Sequence, residues 1–244
     1  MSRIFITGSS DGLGQLAAKL LVEQGHHVIL HARNKDRANI AIKSVPGAKH
    51  ILIADLSIIE EIKKLAADVN TLGEFDAIIH NAGVYQVQEN IICTVNTIAP
   101  YILTCLIKKP KRLVYLSSSN HLSGVANLEK LEKQKASYSD SKLHVLLLSM
   151  ATARKWNDVY SNALDPGWVP TKMGGAVAPD NLEKGFQTQT WLAVSNDNNA
   201  QVSGKYFYHK KEVAYSKLAD DVSLQDKYLS TCEHITGVKF PENF

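Results

Sequence analysis

The first fourteen residues restrict the fold more than any other stretch. Ile4-Phe5-Ile6 is a short apolar run of strand character, followed by Thr7-Gly8-Ser9-Ser10-Asp11-Gly12-Leu13-Gly14, with glycines spaced Gly8-x-x-x-Gly12-x-Gly14. Leu13, Leu16, Ala17, Leu20 and Leu21 then recur at helical spacing. Strand, glycine turn and helix in that order suit a diphosphate. Glycine lets the backbone turn tightly with no Cβ in the way, and the helix start offers unpaired N–H groups and a positive dipole end. Alone, the motif describes a ligand-free glycine turn equally well, and its spacing departs from the G-x-G-x-x-G fingerprint.

The rest of the chain decides between the two. Its patterning predicts further strands near 27–31, 50–54, 76–80, 113–116, 160–164 and 205–208. Helices are predicted near 34–43, from a Ser57 cap to 70, and near 91–107, 136–156, 182–195 and 224–235. Such alternation predicts an α/β fold, a single doubly wound parallel sheet of Rossmann type with helices on both faces. No linker or repeat divides it, so 1–244 reads as one domain, with the substrate side supplied mainly by 120–136 and 168–244. Ligands of such sheets bind beyond the carboxyl ends of the strands. The polar and glycine-bearing punctuation gathers there: Gly8 to Gly14, Arg33, Asp55, Asn81 to Gly83, Ser117 to Ser119 and Pro166-Gly167. Loops that merely connect need no special residues at one edge only, so a dinucleotide site is expected.

Composition removes several other function classes. The chain has 244 residues, 45% hydrophobic and 21% charged, and a formal charge of +3, too mild to argue for nucleic acid. The basic run Lys108 to Arg112 precedes an apolar strand and reads as a solvated loop. The three cysteines are scattered and the nine histidines show no ligand spacing, so neither disulfide nor metal is expected, and a reducing cytoplasm is. No apolar stretch reaches the ~18 residues of a membrane span, and the N-terminus runs directly into a strand, leaving no room for a signal peptide.

The predicted helix near 136–156 opens with Tyr138-Ser139-Asp140-Ser141-Lys142. Residues four apart share a helix face, and an ammonium beside a phenol favours the phenolate. The pair is therefore a candidate general acid/base, although Tyr-x-x-x-Lys by itself also describes two ordinary helix residues. Asn96 lies four residues before Pro100, which has no N–H for the Asn96 carbonyl. That carbonyl needs another donor, such as a water leading from Lys142, or the proline serves shape alone. At the end of the second strand stands His31-Ala32-Arg33-Asn34-Lys35, with Arg37 close behind and no acidic residue between Val28 and Lys35. A carboxylate there would accept from a ribose 2′-hydroxyl; Arg33 instead suits a 2′-phosphate. NADP(H) is therefore expected over NAD(H).

Together these residues resemble the short-chain dehydrogenase/reductase family. The matching pieces are Thr7-Gly8-x-x-x-Gly12-Leu13-Gly14, Asp55-Leu56, Asn81-Ala82-Gly83, Asn96, Ser118, Tyr138-x-x-x-Lys142 and Pro166-Gly167, in the family's order. The stretch from Arg112 to His121, the run Asp165-Pro166-Gly167-Trp168-Val169-x-Thr171 and the run Ser203 to Phe207 are most similar to retinol-dehydrogenase-like reductases. The resemblance implies hydride transfer between NADP(H) and a small carbonyl or alcohol substrate. It implies that Ser118 polarises that group, Tyr138 passes the proton, Lys142 lowers the tyrosine pKa and holds the nicotinamide ribose, and Asn96 holds a relay water. Cofactor contacts are implied for Thr7, Gly8, Ser10, Asp11, Gly12, Leu13, Gly14, Arg33, Asn34, Asp55, Leu56, Asn81, Ala82, Gly83, Tyr138, Lys142, Pro166, Gly167, Val169 and Thr171. Ser118 is chosen over Ser117 and Ser119 by alignment with the family's serine pair. A homo-oligomer is expected, because the helices near 91–107 and 136–156 carry apolar residues on more than one face, Leu146-Leu147-Leu148 among them. The competing reading is a non-catalytic NADP(H)-binding redox sensor on the same fold, which would have no need of a proton donor.

Overall fold

The computed structural model describes residues 1–242. One eight-stranded sheet runs through it in the order β3-β2-β1-β4-β5-β6-β7-β8. The strands are β1 (Arg3–Ile6), β2 (His27–Ala32), β3 (His50–Ile53), β4 (Ala77–His80), β5 (Arg112–Leu116), β6 (Tyr160–Asp165), β7 (Lys205–Tyr208) and β8 (Lys211–Glu212). All neighbours are parallel except the final β7–β8 pair. The chain starts in the middle, winds outward through β2 and β3, then returns to β4 on the other side of β1. That reversal between β1 and β4 opens the crevice at which the glycine turn sits.

Both faces of the sheet are buried, so its central strands are apolar at successive positions. Alternate residues feed opposite layers. Phe5, Ile29, Ile78, Leu113 and Tyr115 join one core, under α3 (Ile59–Thr71), α5 (Ala99–Leu106) and α7 (Tyr138–Lys155). Ile4, Ile6, Val28, Leu30, Ile79 and Val114 join the other, under α1 (Gly12–Glu23), α2 (Lys35–Ser44) and α8 (Leu182–Val194). Two short helices, α4 (Glu89–Ile92) and α6 (Leu128–Glu132), and a final α9 (Val222–Thr236) complete the set among the described residues. Helix α7 is buried all round from Asp140 to Thr152. Leu146, Leu147 and Leu148 have no exposed surface within one chain, so a subunit interface is not needed to explain them. No helix among the described residues is long and apolar enough to cross a membrane.

Three local features differ from the sequence expectations. Ser57 does not cap α3: its N–H and hydroxyl both turn to Asp55 Oδ1, at 2.9 and 2.7 Å, and the helix begins after Ile58. The helix expected over 91–107 is broken by six π-helical residues, Cys93–Ile98, in which the Ala99 N–H reaches back five residues to Thr94. The wide turn lies directly before Pro100, whose missing N–H cannot serve the four-residue register. Strand β8 was unforeseen. Its hairpin with β7 turns on His209 (φ 49°) and Lys210 (φ 63°), a left-handed pair without the Asn-Gly or Gly-Gly signal that advertises such turns.

Candidate active site

The glycine turn is clamped by three neighbouring strand ends. Asn81 Nδ2 donates to the carbonyls of Thr7 and Gly8, at 3.0 and 3.1 Å. The Ala82 N–H donates to Thr7 Oγ1 at 3.0 Å. The Gly8 N–H donates to His31 Nδ1 at 2.9 Å, which leaves His31 Nε2 to donate to the Ala54 carbonyl at 3.0 Å. Burial pushes His31 down to about 4, which keeps its Nδ1 an acceptor. Two positions need glycine for space: a Cβ on Gly8 would lie 2.8 Å from Ala82 Cα, and one on Gly14 would lie 2.3 Å from Asn81 Nδ2. Asp11 caps α1 by accepting from the Gly12 N–H at 2.8 Å.

A cavity of 400 Å³ runs from this turn to α7. Of the residues expected at a cofactor, Gly8, Ser10, Asp11, Gly12, Leu13, Arg33, Asp55, Leu56, Asn81, Ala82, Gly83, Tyr138, Lys142, Pro166 and Thr171 line it. Thr7 and Gly14 stand behind the wall, in the clamp just described. Asn34 caps α2, accepting from the Arg37 N–H at 3.0 Å. Gly167 turns in the left-handed region (φ +84°) against Asp180, and Val169 is buried beneath the same loop.

At the α7 end the sequence-predicted groups converge. A capping box between Ser137 and Asp140 fixes the start of the helix and with it the register of Tyr138 and Lys142. Lys142 Nζ donates to the Leu116 carbonyl at 2.8 Å and lies 5.4 Å from the centre of the Tyr138 ring. Burial lowers its pKa to about 8, against the opposing pull of Asp165. The Tyr138 phenol is pushed up to about 12, first by burial, with the Asp165 carboxylate and Tyr85 adding to the rise and a hydrogen-bonding contact with Ser118 working against it. Burial therefore outweighs the lowering expected from the lysine. Of the three serines, Ser118 faces the phenol. Ser117 is buried and donates to the Lys142 carbonyl at 2.9 Å, and the Ser119 N–H donates to Asp165 Oδ2 at 2.8 Å. Asn96 is held by its side chain: Oδ1 accepts from the Val84 N–H at 2.8 Å, and Nδ2 donates to the Val84 carbonyl and Ser141 Oγ. A Cβ on Gly83 would lie 3.6 Å from both Asn96 Oδ1 and Lys142 Nζ, so these two polar groups flank one glycine.

Several residues at the site were not singled out by the sequence. Tyr85 packs edge-on against Tyr138, with ring centres 4.8 Å apart. Asp165 holds both the Ser119 and Gly167 N–H groups and biases every titratable group around it. Lys172 crosses the cleft to Asp11, which also pairs with Arg37 at 3.0 Å, and both cations hold the Asp11 carboxyl below its usual range. Spacing carried no signal for Tyr85 or Lys172, which act across the fold rather than along an element. Asp165 stood in plain sight beside Pro166-Gly167.

Comparison with known proteins gives the chain's family and fold. The family model for short chain dehydrogenase matches residues 2–182. An uncharacterised oxidoreductase of Emericella nidulans is 45% identical over 254 residues, covering 99% of both chains. Retinol dehydrogenase 13 of Homo sapiens is 27% identical over 286 residues, covering 98% of this chain and 85% of that one. A crystal structure of an uncharacterised protein from Mycobacterium paratuberculosis shares the fold, with a TM-score of 0.83 at 23% identity over 99% of this chain and 95% of the other. The family match over residues 2–182, with a relative 45% identical along 99% of the chain, identifies this chain as a member of the short-chain dehydrogenase family.

Proposed function

We propose that this chain reduces a carbonyl compound, or oxidises the matching alcohol, with NADP(H), and that Tyr138 is the general acid/base. The observation that carries the reading is that Tyr138, in hydrogen-bonding contact with Ser118 and beside Lys142, lines the same cleft as the clamped glycine turn. The residues fit a nicotinamide dinucleotide. The N-terminus of α1 and its glycine turn suit the diphosphate, Arg33 suits the adenosine ribose phosphate, and Lys142 stands where a nicotinamide ribose would be held. When bound, the cofactor supplies or accepts the hydride. The chain's own part is to orient the substrate oxygen and move the proton. Ser118 donates to that oxygen. Tyr138, proton-loaded at neutral pH because burial holds its pKa near 12, passes its proton to the same oxygen during reduction. Lys142, its pKa lowered by burial, lines the route by which the phenol is recharged, with a water on the Asn96 backbone carbonyl as the next step. The substrate enters between 120–136 and the segments after β6. Screening carbonyl compounds for oxidation of NADPH tests the reading, with Tyr138→Phe as the control that must remove turnover. A chain that oxidises NADPH equally well with and without the phenol refutes it.

A further inference from the structure

His121 lies in the 3₁₀ turn Ser119–Ser123 that follows β5, and only 1% of it is exposed. Its Nδ1 is 2.6 Å from the Ser118 carbonyl oxygen, which also accepts the His121 backbone N–H at 3.0 Å. Its Nε2 is 3.1 Å from the Ser216 backbone nitrogen, 95 residues along the chain. A backbone N–H can only donate, so Nε2 is the bare nitrogen and Nδ1 carries the proton. Both ends of the ring are thereby assigned by their partners. The ring also packs edge-on against Tyr206, with centres 4.8 Å apart, so it has little freedom to turn.

The two ends reach different parts of the site. Ser118 has extended backbone (φ −171°, ψ 155°), and its Oγ accepts the Asn120 N–H at 3.3 Å, which leaves the hydroxyl proton for another acceptor. Where that hydroxyl points depends on the orientation of the Ser118 peptide, and His121 holds that peptide by its oxygen. Ser216 follows Val213 and Ala214, which line a second cavity of 380 Å³ with Ser119, Asp165 and Trp168.

We propose that His121 is a positioning residue: Nδ1–H sets the Ser118 hydroxyl against Tyr138, and Nε2 ties that serine to Ser216, in the segment whose Val213 and Ala214 line the second cavity, which we assign to the substrate. The proposal rests on the reading of Ser118 and Tyr138 as the groups that meet the substrate oxygen. A shift of the serine by an ångström is enough to cost about 10²-fold in rate, so the two bonds of His121 have separable effects on turnover and on substrate binding.

Three substitutions separate them. His121→Asn keeps a donor near Nδ1 and loses the acceptor at Nε2; His121→Gln keeps an acceptor near Nε2 and loses the donor; His121→Ala loses both. With a turned-over carbonyl substrate, His121→Ala lowers kcat by about 10- to 100-fold with NADPH affinity unchanged. His121→Asn restores most of kcat but raises KM for the substrate, and His121→Gln leaves kcat low with KM near wild type. The Asn and Gln variants decide the matter if the Ala variant is too unstable to assay. Equal losses in Asn and Gln, tracking a fall in melting temperature, overturn the proposal, as does wild-type kcat in His121→Gln. Ser118→Ala tells the two failures apart. Full activity in that variant defeats the role given to the serine, whereas an inactive Ser118→Ala beside fully active His121 variants defeats the positioning role alone.

Discussion

The roles proposed for Tyr138 and Arg33 can each be tested on a single side chain. Tyr138→Phe keeps the ring that packs on Tyr85 and removes only the hydroxyl. Folding and NADPH binding should survive, while activity falls by about 10²- to 10⁴-fold, the range for a lost acid/base group; kcat measured beside a cofactor titration checks both halves. Arg33 lines the cleft, and its neighbour Arg37 is already engaged with Asp11. A charge-assisted bond contributes ~1.5–3 kcal/mol, and ~1.4 kcal/mol is tenfold in affinity. Wild type should therefore prefer NADPH over NADH by roughly ten- to a hundredfold, and Arg33→Ala should lose most of that preference with NADH affinity little changed. Equal wild-type affinities for the two cofactors would refute the assignment. The sequence pointed to these residues because the roles proposed for them follow from position on a strand end or a helix face. It concealed His31 and Tyr85, whose partners lie across the fold and leave no spacing to read.

Strands and helices were legible where burial imposes a period, and less so where local hydrogen bonding competes. The strand over Lys205–Tyr208 and the helices of the sheet layers lie close to where apolar periodicity predicts them. The Ser57 cap was misread because a carboxylate two residues earlier takes both of its donors. The π-helical turn escaped because proline announces a break without saying how the backbone heals it. The glycine turn is sensitive to a single methyl group. Gly14→Ala puts a Cβ within 2.3 Å of the Asn81 amide that holds Thr7 and Gly8. This variant should lose NADPH binding and melt at lower temperature, whereas Gly25→Ala, with nothing within 4 Å of its Cβ site, should leave NADPH affinity intact despite its left-handed backbone. Calorimetry and cofactor titration of the two variants side by side provide the check.

Across the whole molecule, four histidines are buried, His31, His80, His121 and His144, and burial lowers the pKa of each. Burial holds His31 and His144 near 4 and His80 near 3, against an ordinary 6.5. Below pH 6.5 the unfolded chain takes up protons at these sites that the folded chain refuses, so stability falls as acid is added and recovers as pH rises back through that window. Each group contributes ~1.4 kcal/mol per pH unit between its two pKa values. The urea midpoint should therefore drop steeply between pH 6.5 and 4.5, and a flat profile there counts against neutral burial. The doubly wound parallel sheet and a site along its carboxyl edge could be anticipated from strand–helix alternation; the strand order and the reversal between β1 and β4 came from the structure. How the chain's distant parts close over that edge could not be anticipated either. Lys172 and Asp11 stand 161 residues apart in sequence and meet across the mouth of the cleft. A cofactor held beneath that ion pair would have to part it in order to leave, so the contact is expected to slow release to a degree that depends on the surrounding electrolyte. Dissociation of NADPH should accelerate with ionic strength in wild type and be faster, with a shallower salt dependence, in Lys172→Ala, and where product release limits turnover, added salt should raise kcat.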